Sequence, residues 1–579
     1  MGRQPHECAA DAPPAAARAR RGAPPRALLA ALLAACIAAA PPTTLPGADA
    51  AGGDAWRGRV IYQLLVDRFD APGMPREAGC PDLRAWCGGT LAGVTRRLDY
   101  ISDLGADAIW ISPVVRQCGG AFGGGEGYHG YWAQGLYDIE PRIGTAGDMR
   151  ALSDAAHARG LLVMLDVVAN HMGPCGVEGM DPFDRPSHYH DCGGCDAACG
   201  IPPSAWDAPE EATLEHCRLA GLPDLNQTHP FVREKLLAWV GEMVSNYSLD
   251  GLRVDTAPFV ARPFWRDFAD AAGVFSMGEA WFAGVDRVPL VASYAGPGAL
   301  DSVLSYPLYG LLRGVFGGRQ DMRTLLEVRR AYQAAFSPEA LGLLGVFVEN
   351  HDNPRFLSYQ PDLQLYKNAL TWVMMSEGIP IIYYGSEQGF AGESGATPTH
   401  DGGFRQPLWP SGFERRGPLF AHIQLLARHR KAQRLWEAPQ IDVHAAPDCF
   451  AFARGATVVV TTNAGGGGGA RCEFELPEGG PLPAGGRLVN IFEPQAPDVQ
   501  MDPQSRRLTL DILNGSPLVL LMRDPSPAPA PTAAAGAGAP AAAATAARTA
   551  GSGGGVAVPR GRRTEGATGA ASPTVAAAF

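Results

Sequence analysis

The sequence predicts an α/β chain: a (β/α)8 barrel, an inserted loop-rich subdomain after the third strand, and a C-terminal antiparallel β domain. Three observations lead there. Short apolar runs with few charges alternate with amphipathic stretches through most of the chain, as buried parallel strands and their covering helices do. Acidic residues and histidines gather where those runs end. After about Trp436 the helical pattern stops and short alternating runs take over.

The N-terminal stretch, residues 1–50, reads as a leader. Arg18, Arg20, Arg21 and Arg26 precede an apolar run from Ala27 to Ala40, and Ala48-Asp49-Ala50 offers a small-residue cleavage site. Secretion is the expected outcome. Two alternatives stand beside it: a lipid tether on Cys36 in Leu33-Ala34-Ala35-Cys36, and an organellar transit segment. At the other end, residues 525–579 are mostly Ala, Pro, Gly, Thr and Ser, too poor in apolar side chains to offset ordering entropy.

Between them, residues 51–436 carry the barrel pattern. Eight runs read as strands: Val60–Val66, Ala108–Ser112, Leu161–Val168, Gly251–Val254, Phe275–Gly278, Ser302–Leu304, Leu343–Val348 and Ile379–Tyr384. Asp148–Arg159, stopped by Gly160, and Phe231–Tyr247 read as helices. Residues 170–222 break the rhythm and form the inserted subdomain. In residues 437–524, Cys449–Arg454, Thr457–Thr462, Arg471–Leu476 and Leu508–Ile512 read as strands of a β-sandwich.

Composition sets the outer limits. The 579 residues hold 48 Lys+Arg against 59 Asp+Glu, a net charge of −11, which argues against nucleic acid or an anionic membrane as main partner. No apolar run reaches the ~18–20 residues of a membrane span. Of twelve cysteines, Cys8 and Cys36 fall in the leader, and an even ten remain for disulfides in an oxidising compartment. Cys192-Gly-Gly-Cys195 with Cys199 resembles half a zinc site, but no second pair follows. Asn226, Asn246 and Asn514 open glycosylation acceptor triplets.

The chemistry lies at the strand ends, where barrel active sites form. The third strand ends in Asp166-Val-Val-Ala-Asn170-His171, the fourth reads Gly251-Leu-Arg253-Val-Asp255, the fifth Met277-Gly-Glu279-Ala-Trp281 and the seventh Val348-Glu-Asn-His351-Asp352. A single strand-end acid is ordinarily a loop cap or a solvated charge. Several at one mouth are not explained that way, nor is Arg253 two residues before Asp255. Residues i and i+2 share a strand face, so the guanidinium can hold the carboxylate ionised, as a nucleophile requires.

These stretches, with Tyr128-His-Gly-Tyr-Trp132 and Phe347-Val-Glu-Asn-His-Asp-Asn-Pro-Arg355, resemble the alpha-amylase family, glycoside hydrolase family 13, and most closely its fungal-type members. The resemblance runs from about Arg59 through Leu408, continues more weakly beyond, and supports the barrel over a doubly wound sheet. It implies that Asp255 is the nucleophile, Glu279 the acid/base and Asp352 a third carboxylate that stabilises the transition state. It also implies that His129, His171 and His351 bond sugar hydroxyls, that Tyr131 lies under the sugar ring with Trp132 beside it, and that Asp401 and Arg405 bind sugar further away. Asn170 and Asp224 match side-chain ligands of a structural Ca2+, with Glu215 and Phe259 supplying backbone oxygens; the plain alternative for Asp224 is a helix cap near His229. Cys80–Cys87 and Cys192–Cys217 match family disulfides.

One departure stands out: Pro258-Phe259 replaces a Lys-His pair that commonly grips the leaving-group side. The expected function is a secreted, monomeric, endo-acting alpha-amylase that hydrolyses α-1,4 bonds of starch, glycogen and maltooligosaccharides with retention. The alternatives are a glucanotransferase or exo-acting α-glucosidase of the same family and, remotely, a non-catalytic binding relative.

Overall fold

The computed structural model describes residues 52–207, 210–392, 403–478 and 482–522. The leader, the 525–579 tail and Asp401 lie outside the described residues. Eight strands, β1 (Ile61–Leu64), β2 (Ala108–Ile111), β3 (Leu162–Val167), β4 (Gly251–Val254), β5 (Phe275–Gly278), β6 (Ser302–Val303), β7 (Gly345–Val346) and β8 (Ile379–Tyr383), pair in parallel in the order β6-β5-β4-β3-β2-β1-β8-β7. A parallel bridge from Leu304 to Gly345 joins the two ends, so the sheet closes into a barrel. Every strand residue is buried, because one face fills the lumen and the other meets helices. Trp110, Met164, Met277, Leu304 and Ile381 pack in the lumen cluster. Gly345 belongs to that tight layer: a Cβ there would lie 2.6 Å from Met277 Sδ and 2.8 Å from Leu304 Cδ2.

The helices obey local chemistry. Ala146–His157 starts on a Thr145/Asp148 capping box, and Gly160 follows it at φ 73°, the left-handed turn that glycine takes without strain. Pro230–Tyr247 has its proline at the first helical position, where no N–H is needed. The observed β6 and β7 are shorter than the apolar runs that predict them, because only the segments facing a parallel neighbour join the ladder.

The C-terminal strands are β9 (Ile441–Ala445), β10 (Cys449–Arg454), β11 (Thr457–Thr462), β12 (Ala470–Glu475), β13 (Arg487–Asn490), β14 (Val499–Gln500), β15 (Arg507–Ile512) and β16 (Leu518–Met522). They form an antiparallel six-stranded sheet, β14-β13-β16-β11-β10-β9, and a β12-β15 pair. Cys449, Val458, Val460, Cys472, Phe474 and Leu510 share one core between the two sheets, and a Cys449–Cys472 disulfide ties them. β10 and β11 are buried on both faces. The reason is that the far face of β10 rests on helix Leu363–Met375, with the Trp372 ring 4.9 Å from Phe450 and 5.3 Å from Phe452.

All ten cysteines of the described residues pair. Cys80–Cys87 forms as the resemblance implies, and Cys118–Cys175 is new. The Cys192–Cys217 expectation is corrected: Cys192 bonds Cys199, and Cys195 bonds Cys217. A tight turn explains the exchange. Asp196 accepts from the amides of Ala198 and Gly200, folding Cys199 back onto Cys192, while a Gly200–Arg218 bridge brings Cys217 alongside Cys195. Among the described residues these bonds leave no thiolate for zinc.

Candidate active site

The strand register brings the acids together. β3 and β4 pair Asp166 with Arg253, so both side chains enter the barrel mouth at one level. The guanidinium of Arg253 is about 1% exposed and reaches three carboxylates: Nη1 donates to Asp166 Oδ1 at 2.8 Å and Asp255 Oδ1 at 2.7 Å, and Nη2 lies 2.8 Å from Glu279 Oε2. Glu279 also accepts from the Thr256 amide (3.2 Å) and the Tyr306 hydroxyl (2.9 Å), and Tyr306 accepts from Asn350. Asp352 lies 3.2 Å from His351 Nε2 and 3.2 Å from Arg405 Nη2.

Four buried carboxylates thus share two guanidinium groups. Burial raises all four above the ordinary carboxylate range, Asp166 and Asp352 to about 7. Arg253 opposes the rise at Asp166, Asp255 and Glu279, while Glu279 adds to it at Asp352 and Asp255 adds to it at Glu279. Asp255 and Glu279 sit on the two Nη atoms of one guanidinium, which holds the two carboxyls side by side. Two cations cannot neutralise four anions, so the cluster retains protons into the neutral range.

A cavity of about 410 Å³ opens over this cluster, lined by Asp255, Asp352, His129, Tyr131, His171 and Arg405 among others. Tyr131 lies between His129 and His351, with ring centroids 5.6 and 5.3 Å away, and its hydroxyl donates to Asp166. The Nδ1 of His129 accepts from the Tyr131 amide, and His351 is held by Gln63 and Tyr131. Burial drives all three histidines down, His171 to about 4, so each is neutral and its ring can bond uncharged hydroxyls. Trp132 lines the same cavity edge-on to His129. Arg405 sits nearer the carboxylates than the resemblance implies, donating to His351 O and Asp352.

The sequence reading did not single out Tyr306, Gln63, Trp110 or the Phe122–Glu126 wall of the cavity. Tyr306 starts the helix after β6 and carries no strand-end acidic signature. The Gly-rich 119–127 stretch was visible only as a loop.

A second oxygen-rich group lies beneath the insert. The Asn170 amide reaches Phe259 O at 2.9 Å and Asp224 Oδ1 at 3.1 Å. With its nitrogen turned there it donates to both; with its oxygen turned there three oxygens converge, which is repulsive unless a cation lies among them. Glu215 follows helix Glu211–Leu214, which packs on the Ala257–Phe259 turn. Asp224 does not cap the helix at His229: its carboxylate takes His190 Nδ1 at 2.6 Å and its backbone forms an isolated antiparallel bridge with His171. Among the described residues no three His, Cys, Asp or Glu side chains gather into a metal-holding group, so a cation here would be held by the single Asp224 carboxylate with amide and carbonyl oxygens. That donor set suits a hard cation.

Residues 53–406 match the family model described as the alpha-amylase catalytic domain. Alpha-amylase 2 of Schwanniomyces occidentalis is 38% identical over 380 residues, covering 63% of this chain and 70% of that protein. Alpha-amylase mde5 of Schizosaccharomyces pombe is 36% identical over 394 residues, 66% and 72% of the two chains. The solved alpha-amylase of Malbranchea cinnamomea superposes with a TM-score of 0.73 at 33% identity, covering 82% of this chain and 98% of that one. The barrel, its mouth of acids and these matches agree: this chain belongs to the alpha-amylase family of glycoside hydrolases, on the fungal-type side of it.

Proposed function

We propose that the protein is a secreted alpha-amylase that cuts internal α-1,4-glucosidic bonds of starch, glycogen and maltooligosaccharides with retention of configuration. The placement of the Asp255 and Glu279 carboxyls on the two Nη atoms of the single Arg253 guanidinium carries this reading. An inverting enzyme needs its two acids far enough apart for a water between them, whereas a retaining one needs them close. Asp255, with Oδ1 on Arg253 and Oδ2 buried without a partner, attacks the anomeric carbon and forms a glycosyl ester. Glu279 gives its proton to the departing glycosidic oxygen, then takes one from the water that hydrolyses the ester. Asp352 and the neutral histidines hold the sugar while positive charge develops on its ring.

A Ca2+ ion held by Asn170, Asp224 and the backbone oxygens of Glu215 and Phe259 would tie the insert to the barrel. Five disulfides suit an extracellular setting. Among the described residues no helix is long and apolar enough to cross a membrane.

The test is a product profile on soluble starch and defined maltooligosaccharides, run with Asp255→Asn and Glu279→Gln. Random internal cuts by the wild type and loss of cleavage in both folded variants are expected. Wild-type rates in either variant would overturn the role assignment. One observation favours a second reading: Pro258 and Phe259 are buried and do not line the cavity, so a sugar on the leaving side meets neither side chain. Longer or cyclic products would identify a transferase.

A further inference from the structure

The backbone just past Asp255 departs from the ladder that brings it there. In a regular parallel pair, a residue donates its N–H to the residue before its partner and accepts at its C=O from the residue after. Glu279 donates to Val254 O at 2.8 Å, which makes Asp255 its partner, so its own C=O should accept from Thr256. It accepts instead from Ala257 N at 3.0 Å. One extra residue has been inserted, and that residue is Thr256, with φ 50° and ψ 42°.

A β-branched residue in the left-handed region is strained, and Thr256 is about 1% exposed with its hydroxyl unpartnered. Its hydroxyl lies near enough to Asp255 to favour that carboxylate's charged form, but it makes no well-formed hydrogen bond that would compensate for the conformation. Its amide does: released from the ladder, the Thr256 N–H points at Glu279 Oε2, 3.2 Å away. Bulges beside active sites re-aim groups in this way.

We infer that the bulge at Thr256 makes its peptide N–H a positioning group for Glu279. Together with Arg253 Nη2, it pins Oε2 and leaves Oε1, beside the Tyr306 hydroxyl, as the oxygen that carries and returns the proton. The inference rests on the acid/base role proposed above for Glu279. The charged or titratable groups facing Glu279 are Arg253 and Asp255 from the fourth strand and its end, Tyr306 from the helix after the sixth, and Asp352 after the seventh.

The test replaces the Thr256 N–H by an ester oxygen, introducing the α-hydroxy analogue of threonine at that position in the full chain. Because the N–H is not a ladder bond, the melting temperature should stay within a few degrees of wild type. A donor to a carboxylate favours its charged form, so its loss raises the pKa of Glu279. The expected result is a kcat at least about tenfold lower, with KM within threefold. The basic limb of the pH profile should move upward, which a merely structural role would not cause. Unchanged kcat and an unmoved limb would overturn the inference. Thr256→Gly and Thr256→Ser are the second arm, usable whether or not the ester variant folds. Glycine reaches φ 50° freely and should keep kcat within about threefold with the basic limb in place. Loss in Thr256→Gly with retention in Thr256→Ser would make the hydroxyl the active feature and overturn the inference. Glu279→Gln run alongside separates the two failures: a fully active Glu279→Gln enzyme refutes the acid/base role itself.

Discussion

Replacing Arg253 with methionine is the sharpest test of how the carboxylate cluster works. The variant keeps roughly the same side-chain length but strips the one cation that contacts Asp166, Asp255 and Glu279 at 2.7–2.8 Å. At an effective dielectric near 20, a charge pair about 4 Å apart is worth about 4 kcal/mol, or about 3 pKa units. The rise at Asp255 should therefore move the acid limb of kcat/KM upward by about 2–3 units, a loss that reaches about 100-fold on the acid side of the wild-type limb. Stability should follow with a definite sign. Without the guanidinium the folded-state carboxylates bind protons more tightly than the unfolded ones. Stability is then lost as pH rises through their raised folded pKa values. Breaking a buried charge pair typically costs about 3–5 kcal/mol, and that deficit should be expressed at pH 8 and largely disappear near pH 5. Thermal unfolding at the two pH values, with starch hydrolysis followed by reducing ends across pH 4–9, provides both readouts. Equal melting deficits at pH 5 and pH 8, with an unmoved acid limb, would refute the reasoning.

Three further outcomes are expected. A chelator should lower the melting temperature and added Ca2+ restore it, with a smaller response in Asn170→Ala; identical responses would remove Asn170 from the ion's shell. Partial reduction followed by peptide mass analysis should find Cys192 joined to Cys199 and Cys195 to Cys217, and a Cys192–Cys217 peptide would contradict the turn at Asp196. Arg454→Met should cost about 1–3 kcal/mol in denaturant unfolding, because Arg454 donates to the carbonyls of Met375, Ser376 and Ala438 in a buried site; an unchanged midpoint would mean that those carbonyls find other donors.

The barrel was readable because its strands are continuous apolar runs closed by acids: Gly251–Val254 and Phe275–Gly278 have the predicted bounds. The acids and Arg253 were readable because alternate strand residues share a face. Other parts carry no such signal. β9, β13, β14 and β16 went unpredicted: β14 is two residues long, and β9 alternates too weakly at the sheet's edge. The disulfide exchange depends on an Asp196 turn, and the Thr256 bulge on which carbonyl accepts which amide. Neither is a property of residue type or spacing. Tyr306 and Gln63 reach the site from segments whose sequence has no acidic or histidine signature, so only their placement reveals them.

The seating of β10 on helix Leu363–Met375 bears on how this protein could be engineered. Besides the Trp372 contact, the Asn368 amide donates to Gly515 O and accepts from Thr462 N, so one buried side chain is a junction for two C-terminal turns. Such a module is not a cassette. Truncating it would leave Trp372 facing water on an apolar helix face and the Asn368 amide without partners. Transplanting it onto a relative would require moving the 363–375 helix face with it. Chimeras cut through the 436–441 connection should aggregate, whereas those that exchange the helix and the sheet together should fold.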